Sequence, residues 1–322
     1  MRMKTLATAL IAAGAAVLTT SAKAQDYPTR SIKFIVPFAA GSATDAVARI
    51  VGEHASKTLG QPIIIENQAG ANGVVAARNV ARAEPDGYTV LITTNTTHAA
   101  NQSMLKSVPY DAINDFEPVT KLGTIPLALI ANPAVPVKNV QELLALAKAN
   151  PGKLTFGSGS SSSRIAGEML KSLGGIEIVH VPYRSNPQAV TDLLGGQIQL
   201  FFADISTTMP QVKAGKATGL AISTAQRSPL APELPTMAEA GVPGYDLAAW
   251  FAAFLPAKTP QPVVAKLRDA LVAAVREGAT ADKLLAAGIE PETSTPEELK
   301  AFVGSEIKKW ADIVKTAGIQ PE

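Results

Sequence analysis

The chain has 322 residues, is 47% hydrophobic and 17% charged, and carries 24 glycines and 23 prolines. That mixture excludes a disordered, collagenous or coiled-coil protein, and the length exceeds what one core usually supports, so two domains are expected. With no cysteine, disulfides, iron–sulfur clusters, thiolate zinc sites and cysteine nucleophiles are excluded. The three histidines, His54, His98 and His180, leave little room for a histidine-rich metal site.

Arg2 and Lys4 precede an apolar run over residues 6–18, closed by Ala22-Lys23-Ala24. This is the pattern of a cleaved export signal over residues 1–24, too short to span a bilayer as a helix. The segment holds three basic residues and no acid. Without it, 26 basic residues face 27 acidic ones, a net charge of −1. The apparent basicity therefore resides in the signal, and nothing points to nucleic acid. An exported chain without cysteine fits a bacterial periplasm.

Strand and helix patterns then alternate. Residues 31–38 read as a buried strand, 43–59 as a helix ended by Gly60, and 62–66 as a second strand. A helix over 72–83 is stopped by Pro85-Asp86-Gly87, and 88–93 form a third strand. This order predicts a mostly parallel sheet with helices on both faces. Punctuation follows at Pro109, Asp111, Asn114, Asp115 and Pro118, and a strand is expected at 127–130. Asn139 with Glu142 predicts a capping box for a helix through Ala149. A second series begins at 153–156, with a helix over 162–173, a strand at 176–181, a helix from Asn186-Pro187, and strands at 198–203 and 218–223. The last third reads as an aromatic strand at 248–255 and helices over 262–278, 281–287 and 296–317, expected to pack back on one of the two halves. The expectation is a bilobal α/β protein with a cleft.

Four loops carry the polar chemistry. Pro37 to Asp45 joins the first strand to the first helix, where α/β proteins bind ligands and where free N–H groups attract anions. Neither the dinucleotide nor the phosphate-loop glycine pattern is present. Ser42 and Thr44 can cap the helix, and Asp45 can contact a ligand or steady its own first turn. Residues 93–101 gather hydroxyls and amides around His98. Gly157-Ser158-Gly159-Ser160-Ser161-Ser162-Ser163-Arg164 offers five hydroxyls and orphan N–H groups for an oxygen anion, with Arg164 as a bidentate carboxylate partner. Residues 182–187 form the fourth loop. Asp204 ends a later strand and can meet a hydroxyl or nitrogen of a ligand. Trp250 and Phe251 read as core. No Gly-x-Ser-x-Gly elbow, paired carboxylates or His-Glu-x-x-His is present, so the loops read as a binding site without a catalytic set; a hydrolase in which the fold brings His98 to a serine is the enzymatic alternative.

The chain resembles the periplasmic solute-binding proteins of tripartite tricarboxylate transporters, the Bug receptors. The resemblance spans the whole chain after the signal. It rests on Tyr27-Pro28 to Ile32, Val36 to Asp45, Ile65-Glu66-Asn67 to Gly73, Pro85-Asp86-Gly87-Tyr88, and Thr97-His98-Ala99 with Asn101. It continues through Asp115-Phe116-Glu117-Pro118-Val119, Ala166-Gly167-Glu168, Val181-Pro182-Tyr183-Arg184, Leu194-Gly195-Gly196-Gln197 and Pro232-Glu233-Leu234-Pro235-Thr236.

The resemblance implies a type II periplasmic-binding-protein fold. The two lobes would be residues 25–123 with 236–322, and residues 124–235, with crossings near 119–123 and within 225–249. It implies a small carboxylate ligand, no cofactor, no metal and a monomer. Its partner would be a two-component membrane permease, or a sensor protein where the receptor has no permease. Carried over, Phe38, Ala39, Ala40, Gly41, Ser42 and Asp45 line the first lobe with Thr96, Thr97 and His98. Ser158, Ser160, Ser162, Ser163, Arg164 and Asp204 face them. The family often has a neutral residue where Arg164 stands. An arginine there suggests a ligand with more than one carboxylate, unless Arg164 turns away toward Glu168.

Overall fold

Residues 27–316 and 318–321 are described in the computed structural model, and the segment read as an export signal lies outside them. The first series is β1 (Ile32–Val36), α1 (Ala43–Leu59), β2 (Ile63–Asn67), α2 (Val74–Ala81) and β3 (Thr89–Thr94). β1 pairs in parallel with β2 and with β3. α1 forms because Ser42 Oγ accepts from the Asp45 N–H at its start and Gly60 turns left-handed at its end. Val47, Val51, Ala55 and Leu59, spaced by four, lie on its buried face.

Two features here depart from the sequence reading. Residues 93–101, expected as a loop, are buried and regular: Thr93 and Thr94 end β3, and a single π-helical turn at Thr96–Ala100 runs into α3 (Asn101–Met104). The strand expected at 127 starts eleven residues earlier, as β4 (Phe116–Ala131). Pro118 reads as punctuation, since proline lacks a ladder donor, and Gly123 and Pro126 also interrupt a regular ladder. The strand absorbs them through register shifts between Pro118 and Thr120 and between Lys121 and Gly123. At Pro126 it changes partners.

The second series follows: α4 (Val140–Ala149), β5 (Thr155–Ser158), α5 (Ser161–Gly174), β6 (Val179–Pro182), α6 (Asn186–Leu194), β7 (Leu200–Asp204), α7 (Ile205–Lys213) and β8 (Thr218–Ile222). The chain closes with β9 (Ala248–Pro256), α8 (Gln261–Arg276), α9 (Gly278–Ala286), β10 (Glu290–Pro291) and α10 (Pro296–Thr316). The strand order is β2-β1-β3-β9-β4-β7-β5-β6, with β8 and β10 also on β4. Residues 116–126 of β4 run antiparallel to β9, and 127–131 run antiparallel to β7 and β8. Each lobe therefore has the same layout. One reads β2-β1-β3-β9-β4 and the other β6-β5-β7-β4-β8, with the antiparallel strand fourth in both. The repeat lies in topology, not in residue identity.

Two groups tie the return of the chain to the first lobe. Glu306 Oε2 accepts from the indole N–H of Trp250 at 2.9 Å and of Trp310 at 3.0 Å, joining β9 to α10. Ser223 joins the two crossing segments: its Oγ accepts from the Leu127 N–H and donates to the Leu247 carbonyl. α8 packs on α1 and β4, and α10 on the π-turn and β4.

His98 sits in the π-turn, fully buried. Its ring stacks on Phe254 at 3.9 Å between centroids and leans on Phe116 at 4.6 Å. Nδ1 lies 2.9 Å from Thr97 Oγ1, and Nε2 has no hydrogen-bond partner. Desolvation lowers its pKa from 6.5 to about 3, so the fold holds it neutral. The unfolded chain takes up a proton below pH 6.5 that the fold refuses. Stability is therefore lost as pH falls from 6.5 toward 3, by about 2 kcal/mol at pH 5. Asp204, raised to about 6 by burial, acts with the opposite sign between pH 6 and 4, but equally in both proteins of the comparison below. Denaturant melts of wild type and His98→Phe at pH 7 and 5 should show the wild type losing about 2 kcal/mol more than the variant. Equal losses would remove the buried neutral imidazole from the account.

Candidate functional site

The β1–α1 loop is held from behind by Asp45. Its carboxylate accepts from the Gly41 N–H at 3.0 Å, Arg49 Nε at 2.9 Å and Asn67 Nδ2 at 2.9 Å, and Asn67 also donates to the Phe38 carbonyl at 3.0 Å. Burial alone would push this carboxyl up. The hydrogen bonds from Arg49, Gly41 and Asn67, with the Arg49 charge, outweigh it and hold it below the usual range. Asp45 thus shapes the loop that presents Phe38 and Ser42, rather than facing the cleft. Gly41 takes φ +82°, a left-handed conformation that favours glycine.

In the other lobe the serine-rich loop divides its labour. Ser163 is fully buried and knots the turn. Its Oγ accepts from the Gly159 and Ser160 N–H groups, both at 3.1 Å, and completes a capping box with Ser160 at the start of α5. Ser158 Oγ lies 2.6 Å from His180 Nε2. Gly159 packs so tightly on the next loop that a Cβ there would lie 2.1 Å from the Ser185 carbonyl carbon. Glycine is therefore required for the two loops to touch.

Between the lobes these loops enclose a cavity of about 20 Å³, room for roughly one water molecule. Phe38, Ser42, Thr44 and Thr94, with Ala249 and Phe251 of β9, line it from the first lobe, and Gly159, Ser160, Ser162, Ser185, Asn186 and Asp204 from the second. Ser42, Ser160, Ser185 and Asp204 are the N-caps of α1, α5, α6 and α7. Four helix starts thus converge on one small space, and their partial positive charges add there. Hydrogen bonds cross the cleft beside it: Asn95 Nδ2 donates to Ser162 Oγ at 2.9 Å, and Ser161 Oγ to Asn101 Oδ1 at 3.2 Å. The lobes are closed on each other, and a dicarboxylate needs them to part before it can enter.

Of the residues singled out in the sequence, Phe38, Ser42, Ser160, Ser162 and Asp204 border this cavity. Ala39, Ala40, Gly41, Asp45, Thr96, Thr97, His98, Ser158, Ser163 and Arg164 do not. Ala40 and Gly41 are exposed on the outer part of their loop, and Thr96, Thr97 and His98 are buried in the π-turn. Among the described residues no basic side chain borders the cavity, so the reading of a second carboxylate held by Arg164 finds no counterpart in its lining. Seven residues of the lining were not singled out as ligand contacts: Thr44, which reads in sequence only as a helix cap, and Thr94, Gly159, Ser185, Asn186, Ala249 and Phe251. Thr94, Gly159, Ser185 and Asn186 lie in the polar loops already recognised. Phe251 was read as core, but strand alternation separates it from its neighbour: Trp250 turns to Glu306, and Ala249 and Phe251 turn to the cavity.

A larger recess of about 350 Å³ lies at the crossing segments, bordered by Thr124, Pro126, Thr224, Arg227 and Glu290 among others. No helix starts at its wall. Among the described residues no group of three or more His, Asp or Glu could hold a metal ion, and no helix is long and apolar enough to cross a membrane.

Residues 47–319 match the model of the "Tripartite tricarboxylate transporter family receptor". Protein BugT of Bordetella pertussis is 33% identical over 298 residues, 92% of this chain and 91% of that one. Among solved structures, Rpa4515 of R. palustris with adipate superposes with a TM-score of 0.90 at 35% identity, covering 92% of this chain and all of the other. MatC of Rhodopseudomonas palustris with bound malate superposes at 0.85 with 33% identity, covering 89% of this chain and all of the other. On this match and these identities the chain belongs to the tripartite tricarboxylate transporter receptor family, the Bug receptors, with its two-lobed periplasmic-binding-protein fold.

Proposed function

We propose that this protein is an extracytoplasmic receptor that captures a small carboxylate between its lobes, closes on it, and delivers it to a membrane permease without chemical change. The observation that carries the reading is the convergence of four helix N-termini and a set of hydroxyls on a cavity without a basic side chain. Such a wall holds an anion by oriented N–H and O–H groups rather than by a salt bridge. Two relatives, solved with adipate and with malate, support the ligand class. The basic start, the apolar run over residues 6–18 and the Ala22-Lys23-Ala24 close support export to the periplasm.

On this reading the lobes comprise residues 25–123 with 236–322, and 124–235. The change of partner at Pro126 and the Ser223 junction are where they turn relative to each other. Closure shifts an open–closed equilibrium, and whatever favours the closed form raises affinity. The Asn95–Ser162 and Asn101–Ser161 bonds exist only when the lobes meet, so they add to affinity without touching ligand.

A thermal-shift panel of C4 to C6 dicarboxylates, citrate, acidic amino acids and aromatic acids tests the class. A ligand at a hundredfold excess over Kd stabilises the fold by about 2.7 kcal/mol, enough to raise Tm by ~5 °C. A flat response across the panel on refolded protein would discard the carboxylate reading. With a ligand in hand, Asn95→Ala should weaken binding by about fivefold, the net worth of one buried hydrogen bond. Calorimetry would detect it, and unchanged affinity would show that the bond plays no part in closure.

A further inference from the structure

The four N-cap residues at the cavity fall into two pairs. Ser42 and Ser160 cap in the ordinary way, their Oγ atoms accepting from the N–H groups of Asp45 and Ser163. Ser185 and Asp204 do not cap: neither side chain accepts a hydrogen bond from its own helix N-terminus. Both are serine or aspartate, residue types that cap readily. Their side chains are directed elsewhere.

Ser185 is fully buried, and its Oγ has no hydrogen-bond partner although it borders the cavity. Asp204, nine-tenths buried, accepts from Asn186 Nδ2 at a long 3.3 Å. It is also the one ionisable side chain in the cavity wall. Desolvation raises its pKa to about 6, against the opposing Asn186 bond, so at neutral pH it is still mostly charged. A carboxylate ligand entering beside it brings a second negative charge into the same closed space. Like charges that close resist joint burial unless a donor lies between them. The Ser42 and Ser160 side of the cavity offers donors. The Asp204 side offers acceptors, with Ser185 able to give or take.

We infer that Ser185 and Asp204 form a donor-reading subsite, and that the ligand is a small carboxylate bearing a hydroxyl or ammonium group that points at them. The inference rests on the receptor reading above and narrows its ligand. Family membership does not decide it, because one relative was solved with adipate, which has no such donor, and another with malate, which has one. The Asp204 carboxylate accepts the ligand's donor, Asn186 steadies the carboxylate from its other side, and Ser185 completes the ring of partners. The ligand's own carboxylate lies toward the starts of α1 and α5. An ammonium ligand also cancels the Asp204 charge, so it gains more than a hydroxyl does.

The test is calorimetry with matched triples that differ only in the donor: succinate, malate and aspartate; glutarate, 2-hydroxyglutarate and glutamate; propanoate, lactate and alanine. In at least one triple a donor-bearing member should bind at least tenfold more tightly than the unsubstituted acid. Asp204→Ala and Ser185→Ala should each cut that ratio, the former to threefold or less. Asp204→Asn, which keeps the shape and an acceptor oxygen but not the charge, should reduce preference for ammonium more than for hydroxyl. Circular dichroism checks that each variant is folded, and the aspartate-to-asparagine change answers for the alanine variant should that one unfold. If all members of every triple that binds do so equally, or if the variants lower every affinity in proportion, the subsite falls and the carboxylate receptor stands. If no member of any triple binds and the wider panel is also flat, both fall.

Discussion

One strand belongs to both lobes, and much of the molecule follows from it. β4 gives its first eleven residues to the sheet containing β9 and its last five to the sheet containing β7 and β8. A central strand cannot change partners without interrupting its ladder, and proline is the residue that interrupts it at least cost, having no N–H to strand. Pro126 occupies that place. Directly after it, the Leu127 N–H turns to Ser223 Oγ, so the donor freed by the exchange is satisfied by the other crossing segment. The lobes are thereby joined by two short, hydrogen-bonded segments lying side by side. Such a joint permits rotation about itself and resists sliding. It keeps the four helix N-termini aimed at one point.

That aim accounts for a binding site with little conventional charge. Helix starts carry roughly half a unit charge each, concentrated in the first turn. Three of the four start in the second lobe and one, α1, in the first, so an anion meets all four only when the lobes are together. A single arginine would attract the same anion to one lobe and leave the other indifferent. Attraction split between the lobes couples capture to closure, which a receptor that must report its loaded state requires. Asp204 limits this attraction in a specific way: it removes the benefit for an anion that lacks a donor to place against it.

Much of the architecture was legible in the residues. The β-α-β periodicity, the Asn139 cap and the Gly60 stop correspond to elements close to where they were read, because each is decided locally. β4 was not legible, because Pro118, Gly123 and Pro126 carry strong local meaning that the two flanking sheets override. The site divides in the same way. The polar loops were found from their position between strand and helix. Which hydroxyl faces the cleft was not, since that depends on whether a serine is used by its own turn. Ser160 and Ser163 stand three apart in one serine run with nothing in the sequence to distinguish them, yet Ser163 knots the loop and Ser160 borders the cavity. Asp45 and Asp204 likewise both stand where a strand gives way to a helix, and only the Arg49 and Asn67 partners of the first show that it is occupied with structure.

The two interlobe asparagines carry this argument one step further. Asn95 and Asn101 both stem from the π-turn region, the same short stretch that buries His98 against Phe254 and Phe116. A π-turn inserts one residue into the helical repeat and so rotates the side chains that flank it relative to an α-helix. Here that places Asn95 on one flank against Ser162 and Asn101 on the other against Ser161. The buried imidazole fills the space beneath. On the proposed reading, the hydroxyl-rich segment with its lone histidine, which reads in sequence like a ligand loop, therefore acts on the ligand at one remove. It sets the angle of two amides that meet the other lobe, and the strength of that meeting decides how much of the ligand's binding energy is needed to close the cleft.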